Sequence, residues 1–294
     1  ITSSSYWNIT WEKIHPTDKI LLFRIFELKW IRRRNLFNCG YMFEFHQDRK
    51  KYFEIQYLNA KGYVIPFIEK YYPLQPNYRV LEIGAGEGGV LRAFIERGCT
   101  AVGVELDPRR VEWACGFLWE EIGRGKLHFV EKDIYKTDVE LELKGKFNLI
   151  ILKDVIEHIH DQTRLLQLMQ SMLLPNGVIF FGFPPWQMPF GGHQQIAKSS
   201  LSRLPYIHLL PLSLYRLLLT WKKEPVADLL EIRQTRISIE KFEFIAKKTS
   251  YHIVGKVHYL INPIYQWKFG WKPKVQFNWV TKIPFFRNFV TTCV

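Results

Sequence analysis

The residues best placed to do chemistry are consecutive: Glu82-Ile83-Gly84-Ala85-Gly86-Glu87-Gly88. The apolar run Val80-Leu81 leads into an acid, and glycines follow at alternate positions. Glycine at these spacings lets a chain turn tightly and brings backbone N–H groups close to a ligand with no Cβ in the way. Where such a turn opens a helix, those N–H groups suit a nucleotide-like ligand. A second acid, Glu105, lies 19 residues after Gly86 and ends the run Ala101-Val102-Gly103-Val104. A carboxylate there can accept two hydrogen bonds from a ribose diol. Two histidines are candidate bases. His158 follows an apolar strand on the rim where a substrate would enter, and His193 follows Gly191-Gly192, a turn able to present its ring to a cleft. The plain alternatives are helix-start packing for His158 and an idle loop position for His193.

These residues need elements to hold them. Strands are predicted at 79–83, 100–105, 127–131, 147–152 and 178–183, the last after the turn Pro175-Asn176-Gly177. Helices fit between them at 89–97, 108–122 and 162–173, and strands joined by helical crossovers imply a parallel sheet covered on both faces. Residues 1–77 read as a helical cap, with helical spacing at Ile20–Trp30 and Phe53–Tyr72. Residues 184–237 read as an insert over the substrate, and 238–294 as the completion of the sheet. That last part carries a helix at 238–249 and strands at Tyr251–Leu260 and Phe289–Val294.

The four cysteines, Cys39, Cys99, Cys115 and Cys293, are scattered and form no CxxC pair. That spacing points to a reducing compartment and no structural metal. No apolar run is long enough to span a bilayer, and no secretory signal is visible, so a cytoplasmic location is expected. The chain begins at Ile1 without methionine, and its natural start is expected upstream. The net charge of +13 is uneven: residues 78–183 sum to −3, residues 1–77 to +5 and residues 184–294 to +11. A basic periphery attracts nucleic acid, anionic lipid or acidic substrates, and also describes an ordinary solvated surface.

An acid two residues before GxGxG resembles the first motif of class I S-adenosylmethionine-dependent methyltransferases. Further stretches match in order: Val102-Gly103-Val104-Glu105-Leu106-Asp107, Phe129-Val130-Glu131-Lys132-Asp133-Ile134, Phe147 to His158, and Leu173 to Val178. The wording Val155-Ile156-Glu157-His158 is similar to the branch resembling ubiquinone- and menaquinone-biosynthesis enzymes, which act on small molecules. The resemblance covers roughly residues 78–183. It implies an α/β, doubly wound, mostly parallel seven-stranded Rossmann-like sheet with S-adenosylmethionine as cofactor. By the same resemblance Gly84, Gly86 and Gly88 would line the methionine and ribose moieties, and Glu82 would help hold the amino-acid end. Glu105 would bind the ribose, Asp133 with Ile134 the adenine, and Lys153 and Asp154 would lie near the reacting sulfur. As a rival, Asp133 reads as a simple helix cap, and Lys153 as a solvated residue.

The implied activity is methyl transfer to a small-molecule or lipid-like acceptor. Pro205–Trp221 is strongly apolar and ends at Lys222-Lys223, which fits a lid, a surface helix at a membrane, or packing of an accessory subdomain. Tyr259–Asn288 interleaves aromatics with lysines, among them Lys268. Such a pattern can stack nucleotides, so an RNA methyltransferase is the rival enzyme. A non-catalytic protein retaining the cofactor fold is the rival outside enzymes, and an NAD-dependent oxidoreductase is the remaining alternative. The oligomeric state is not legible in the sequence.

Overall fold

The computed structural model describes residues 48–294, and the helix expected at Ile20–Trp30 lies outside them. The first described helix, α1 (Arg49–Asn59), starts at Asp48, whose side chain accepts a hydrogen bond from the Lys51 N–H. It runs through a π-helical turn at Ala60–Val64 into α2 (Ile65–Glu69). Phe53, Ala60, Val64, Ile65 and Ile68 from this stretch are buried in one cluster with Val80 and Leu91.

Strand and helix then alternate: β1 (Arg79–Ile83), α3 (Gly89–Glu96), β2 (Thr100–Glu105), α4 (Pro108–Phe117), α5 (Trp119–Gly123), β3 (Leu127–Glu131), β4 (Phe147–Lys153), α6 (Gln162–Met172) and β5 (Leu173–Gly182). The five strands form one sheet in the order β3-β2-β1-β4-β5. All its pairs are parallel. Successive side chains of a strand face opposite ways. Leu81 and Ile83 enter one core cluster, Val80 the other. Both faces are therefore covered, as a parallel sheet requires.

Several expectations need correction. The helix expected at 108–122 is interrupted at Leu118, whose φ of −119° and ψ of 27° leave the helical region. The turn Pro175-Asn176-Gly177 lies inside β5, where the pairing with β4 slips between Phe147 and Leu149. The extra residues are absorbed as a bulge. Among the described residues the main sheet has five strands, and the two further strands expected in it are not found there. Within Tyr251–Leu260 only the end pairs, as part of β6 (Tyr259–Ile261), antiparallel to β7 (Lys274–Val275). Phe289–Val294 is not a strand: Arg287–Val290 is helical and pairing is confined to the last residues. Those residues still sit between two partners. Phe183 and Val294 exchange backbone hydrogen bonds of 3.2 and 3.0 Å, and the Tyr259 N–H donates to the Cys293 carbonyl at 2.9 Å.

The segment after β5 holds α7 (Leu212–Trp221) and α8 (Val226–Thr235) with a small core of their own, including Leu201, Tyr215, Leu219 and Leu229. It is tied to the sheet through Gln162, whose amide donates to the Ile156 carbonyl at 3.0 Å and the Thr235 carbonyl at 2.6 Å. The chain continues through α9 (Ile239–Lys248), α10 (Tyr265–Phe269), α11 (Asn278–Thr281) and α12 (Arg287–Val290). No helix among the described residues is long and apolar enough to cross a membrane.

Candidate functional site

Strand order reverses direction between β1 and β4, and ligands of open α/β sheets bind at the carboxyl ends of strands at such a point. The glycine turn sits there. Gly84, Gly86 and Gly88 have φ of 73°, 54° and 82°, values that L side chains rarely adopt. A Cβ on Gly84 would collide with Val155, and one on Gly86 with the Arg110 guanidinium. The missing Cβ of Gly88 faces Leu118 and Phe129, so packing as well as φ excludes a side chain there too.

Glu105, at the end of β2, is wired into this turn. One carboxylate oxygen accepts from the Gly86 N–H at 2.8 Å. The other accepts from the Leu106 and Asp107 N–H groups at 2.8 and 3.0 Å. A carboxylate offers about four acceptor positions, and the remaining direction faces Arg110, 3.7 Å away. Arg110 is held mainly by Glu87, at 2.9 Å, and Arg49 of α1 binds the same carboxylate at 3.1 Å. Glu87 is thus a buried acid matched by two arginines, and the three fasten α1 and α4 to the turn.

Glu82 is buried at 3% exposure, and its Oε2 has no hydrogen-bond partner. Burial raises its pKa well above the ordinary carboxylate value; the Lys153 charge opposes this without overcoming it. A buried orphan oxygen beneath a glycine turn is an acceptor waiting for a donor. The turn and this oxygen together fit the amino-acid end and ribose of a nucleoside cofactor. At the β3 end, Asp133 caps the following turn by accepting from the Tyr135 N–H at 3.0 Å, and Ile134 is buried.

The carboxyl end of β4 carries the other group. Lys153 is mostly buried and its ammonium donates to Asp154. Burial lowers the lysine pKa, but the Asp154 charge and hydrogen bond, together with Tyr52, outweigh it and keep the ammonium protonated. Burial raises the Asp154 pKa, and Lys153 more than reverses that. Asp154 has φ of 57°, a left-handed conformation, and its N–H donates to the Gly182 carbonyl at 2.7 Å. Glu157 is buried with Oε2 unpartnered, and burial followed by the Asp154 charge pushes its pKa well up.

His158 and His193 are brought together, their rings edge to face with centroids 4.9 Å apart. Gly191 and Gly192 allow this, because a Cβ on either would collide with Trp186 or His208. His193 follows with φ of 52°. Burial, then the neighbouring His158, lowers its pKa to about 4, and burial also lowers that of His158. Both rings are therefore neutral near pH 7 and able to accept a proton. Glu157, His158 and His193 offer ligand atoms all within 4.8 Å of one another, close enough to share one cation.

Two members of this end carry no motif. Tyr52 of α1 lies in the field of Lys153, Asp154 and Arg110. Lys268 of α10 places its ammonium 5.6 Å from the centroid of the Tyr52 ring. Burial lowers the Lys268 pKa to about 8, with Asp154 opposing the shift. A lysine interleaved with aromatics was visible in the sequence, but its reach to Asp154 depends on the packing of Ile264 against Ile55. A cavity of about 510 Å³ lined by Tyr63, Phe67, Lys256 and Tyr259 lies apart from all these acids and histidines.

Fold and site together define an α/β domain with a nucleoside-cofactor cradle beside a second, ionisable cluster. The methyltransferase-domain family profile matches residues 52–205, and the chain belongs to that family. It is 29% identical over 119 residues to a protein of Mycobacterium sp. (strain JLS) named as an uncharacterized methyltransferase, covering 39% of this chain and 42% of that one. It is 26% identical over 136 residues to a ubiquinone biosynthesis O-methyltransferase of Histophilus somni (strain 2336), covering 41% of this chain and 52% of the relative. The chain thus spans about half the length of the curated relatives it matches. Among solved structures, Haemonchus contortus phosphoethanolamine N-methyltransferase 2, in complex with phosphomonomethylethanolamine and S-adenosylhomocysteine, aligns with a TM-score of 0.46 at 19% identity. That alignment covers 68% of this chain and 39% of the other.

Proposed function

We propose that this domain transfers a methyl group from S-adenosylmethionine to a small-molecule acceptor that carries an anionic group. The observation that carries the reading is the pair of acids at the ends of β1 and β2. Glu82 keeps a buried oxygen without a donor, and Glu105 shapes the glycine turn through the Gly86 N–H. Family membership and the ordered motifs support the same cofactor. When bound, S-adenosylmethionine supplies an electrophilic methyl group on a sulfonium.

The residues of the chain then orient and exclude water, which is most of what in-line displacement requires. Glu82 would receive the ammonium end, Gly84 and Gly86 would let the backbone approach, and Glu105 would turn from Arg110 to the ribose hydroxyls. Asp133 keeps one carboxylate oxygen beyond its cap for the adenine side, next to the apolar Ile134. Lys153 holds Asp154 ionised at the reacting end. His193 or His158, both neutral, would take the proton of a hydroxyl acceptor onto an imidazole nitrogen.

Charge favours an anionic acceptor over a neutral one. Lys153 is matched by Asp154, and burial with the Asp154 charge raises the Glu157 pKa well above the ordinary carboxylate value, which favours its neutral form. Lys268 has no carboxylate within ion-pair distance among the described residues. One positive charge is left over at the acceptor end. A phenolate or a carboxylate beside the accepting hydroxyl would balance it.

Parallel calorimetry with S-adenosylhomocysteine and NAD tests the cofactor. Tight binding of the first and none of the second is expected, and preference for NAD would sink the assignment. Incubation with methyl-labelled cofactor and matched panels of hydroxybenzoates and neutral phenols tests the acceptor. Label should enter the anionic panel, and equal labelling of both would remove the role given to Lys268.

A further inference from the structure

Helix α7 is apolar on more of its surface than its packing uses. Tyr215 and Leu219 turn inward to the small core of the insert at 0% and 1% exposure. Leu214, Leu217 and Trp221, spaced at three and four residues, form a second stripe at 48%, 66% and 69% exposure. Residues at that spacing share one helix face. An amphipathic helix of a water-soluble domain normally gives its second face to polar groups. Here that face is leucine and tryptophan.

Charge says what covers it. Between Lys198 and Lys223 there are five Lys or Arg residues and no Asp or Glu. The Lys222 ammonium sits 4.2 Å from the centroid of the Trp221 ring, so cation and aromatic leave the helix end together. A second ridge repeats the pattern. Lys274 lies 5.1 Å from the Phe277 ring centroid, and Phe285 and Phe286 are exposed beyond it. The two segments are joined, because the Tyr206 hydroxyl donates to the Phe289 carbonyl at 2.9 Å and Phe285 packs on Phe289. Aliphatic side chains flanked by tryptophan and by lysines match a headgroup boundary, where apolar groups enter and ammonium groups stay with phosphate.

We propose that α7, with the Phe277–Phe286 ridge tied to the same insert through Tyr206, is a docking surface for an anionic lipid bilayer. The partner goes beyond methyl transfer and does not depend on it. The insert that carries α7 also supplies His193, so docking would hold the acceptor end of the site next to the lipid.

Co-sedimentation of the whole chain with phosphatidylcholine vesicles, with and without phosphatidylglycerol, tests this. Binding is expected only with the anionic lipid and should weaken as salt rises. The double variant Leu217→Ser, Trp221→Ser should lose about tenfold or more in partitioning, by the area of apolar surface withdrawn from the headgroup region. Both positions are exposed, so its melting temperature should match that of the parent chain. Trp119→Ser, at an equally exposed tryptophan outside the insert, should change nothing. Absence of vesicle binding would overturn the proposal. So would a concentration-dependent dimer that the same double variant abolishes, since the stripe would then be covered by a second copy of the chain.

Discussion

The rings of His158 and His193 meet edge to face at 4.9 Å although they come from different parts of the chain, one from the turn after β4 and one from the insert. The contact joins the turn after β4 to the insert. Replacing either histidine by alanine should lower kcat by about 10²–10⁴ if that ring takes the acceptor proton. Both pKa values are shifted below 6.5, so the acid limb of the pH–rate profile should lie below that value. A double variant with unchanged turnover would remove both from the reaction.

Stability should depend on pH through two further buried histidines. Burial is the first cause lowering His208 and His258 to about 4 from an ordinary value of 6.5. Between these values the unfolded chain binds more protons than the folded one, so stability rises with pH across the window. The contribution is complete above 6.5 and is lost as pH falls toward 4. Urea midpoints measured at pH 7.5 and pH 5 should differ in that direction, and equal midpoints would contradict the burial of these rings.

Glu82→Gln should leave the fold intact and weaken S-adenosylhomocysteine by about tenfold to a hundredfold, the range for a hydrogen bond to a charged group. Burial raises the pKa of this carboxyl well above the ordinary value, which favours the protonated form before binding. An ammonium ligand favours the ionised form, so binding should release a proton. Calorimetric enthalpies in buffers of different ionisation heat would reveal it, and a buffer-independent enthalpy would exclude Glu82 as the partner.

Gly86→Ala should be costly for two separate reasons. A left-handed residue with a side chain costs about 1–2 kcal/mol, and the new Cβ would collide with Arg110. Loss of cofactor affinity is expected with a modest drop in thermal midpoint. Adding Arg110→Ala removes the collision and should restore part of the affinity; no restoration would show that the backbone conformation alone is responsible.

Lys268→Met separates acceptor from cofactor. The KM for an anionic acceptor should rise about tenfold, by the loss of one charge-assisted contact. The affinity for S-adenosylhomocysteine should not change. Equal weakening of both would place Lys268 in the cradle instead.

The strands β1 to β4 were legible because apolar runs ended in glycines or acids, and their bounds match closely. Glu82 and Glu105 were legible for the same reason, since each ends such a run. The carboxyl-terminal part was not. Tyr251–Leu260 has the composition of a strand, but only Tyr259 and its neighbours meet a partner. Pairing of Val294 with Phe183 joins residues far apart in sequence, and no local pattern specifies it. The same distance hid the arginines of Glu87, which come from α1 and α4.

The two walls of the site are built to different tolerances. A Cβ on Gly89 would run into the Phe53 carbonyl, so α1 lies against the glycine helix with no room for even a methyl group. The insert opposite has a private core and joins the sheet side at its end, through hydrogen bonds of Gln162 and Thr235 and the burial of Ile237 in the main core. A cleft with one clamped jaw and one separately packed jaw opens in one direction only. Acceptors should enter and products leave past the insert, while the cradle at β1 keeps its shape through each turnover.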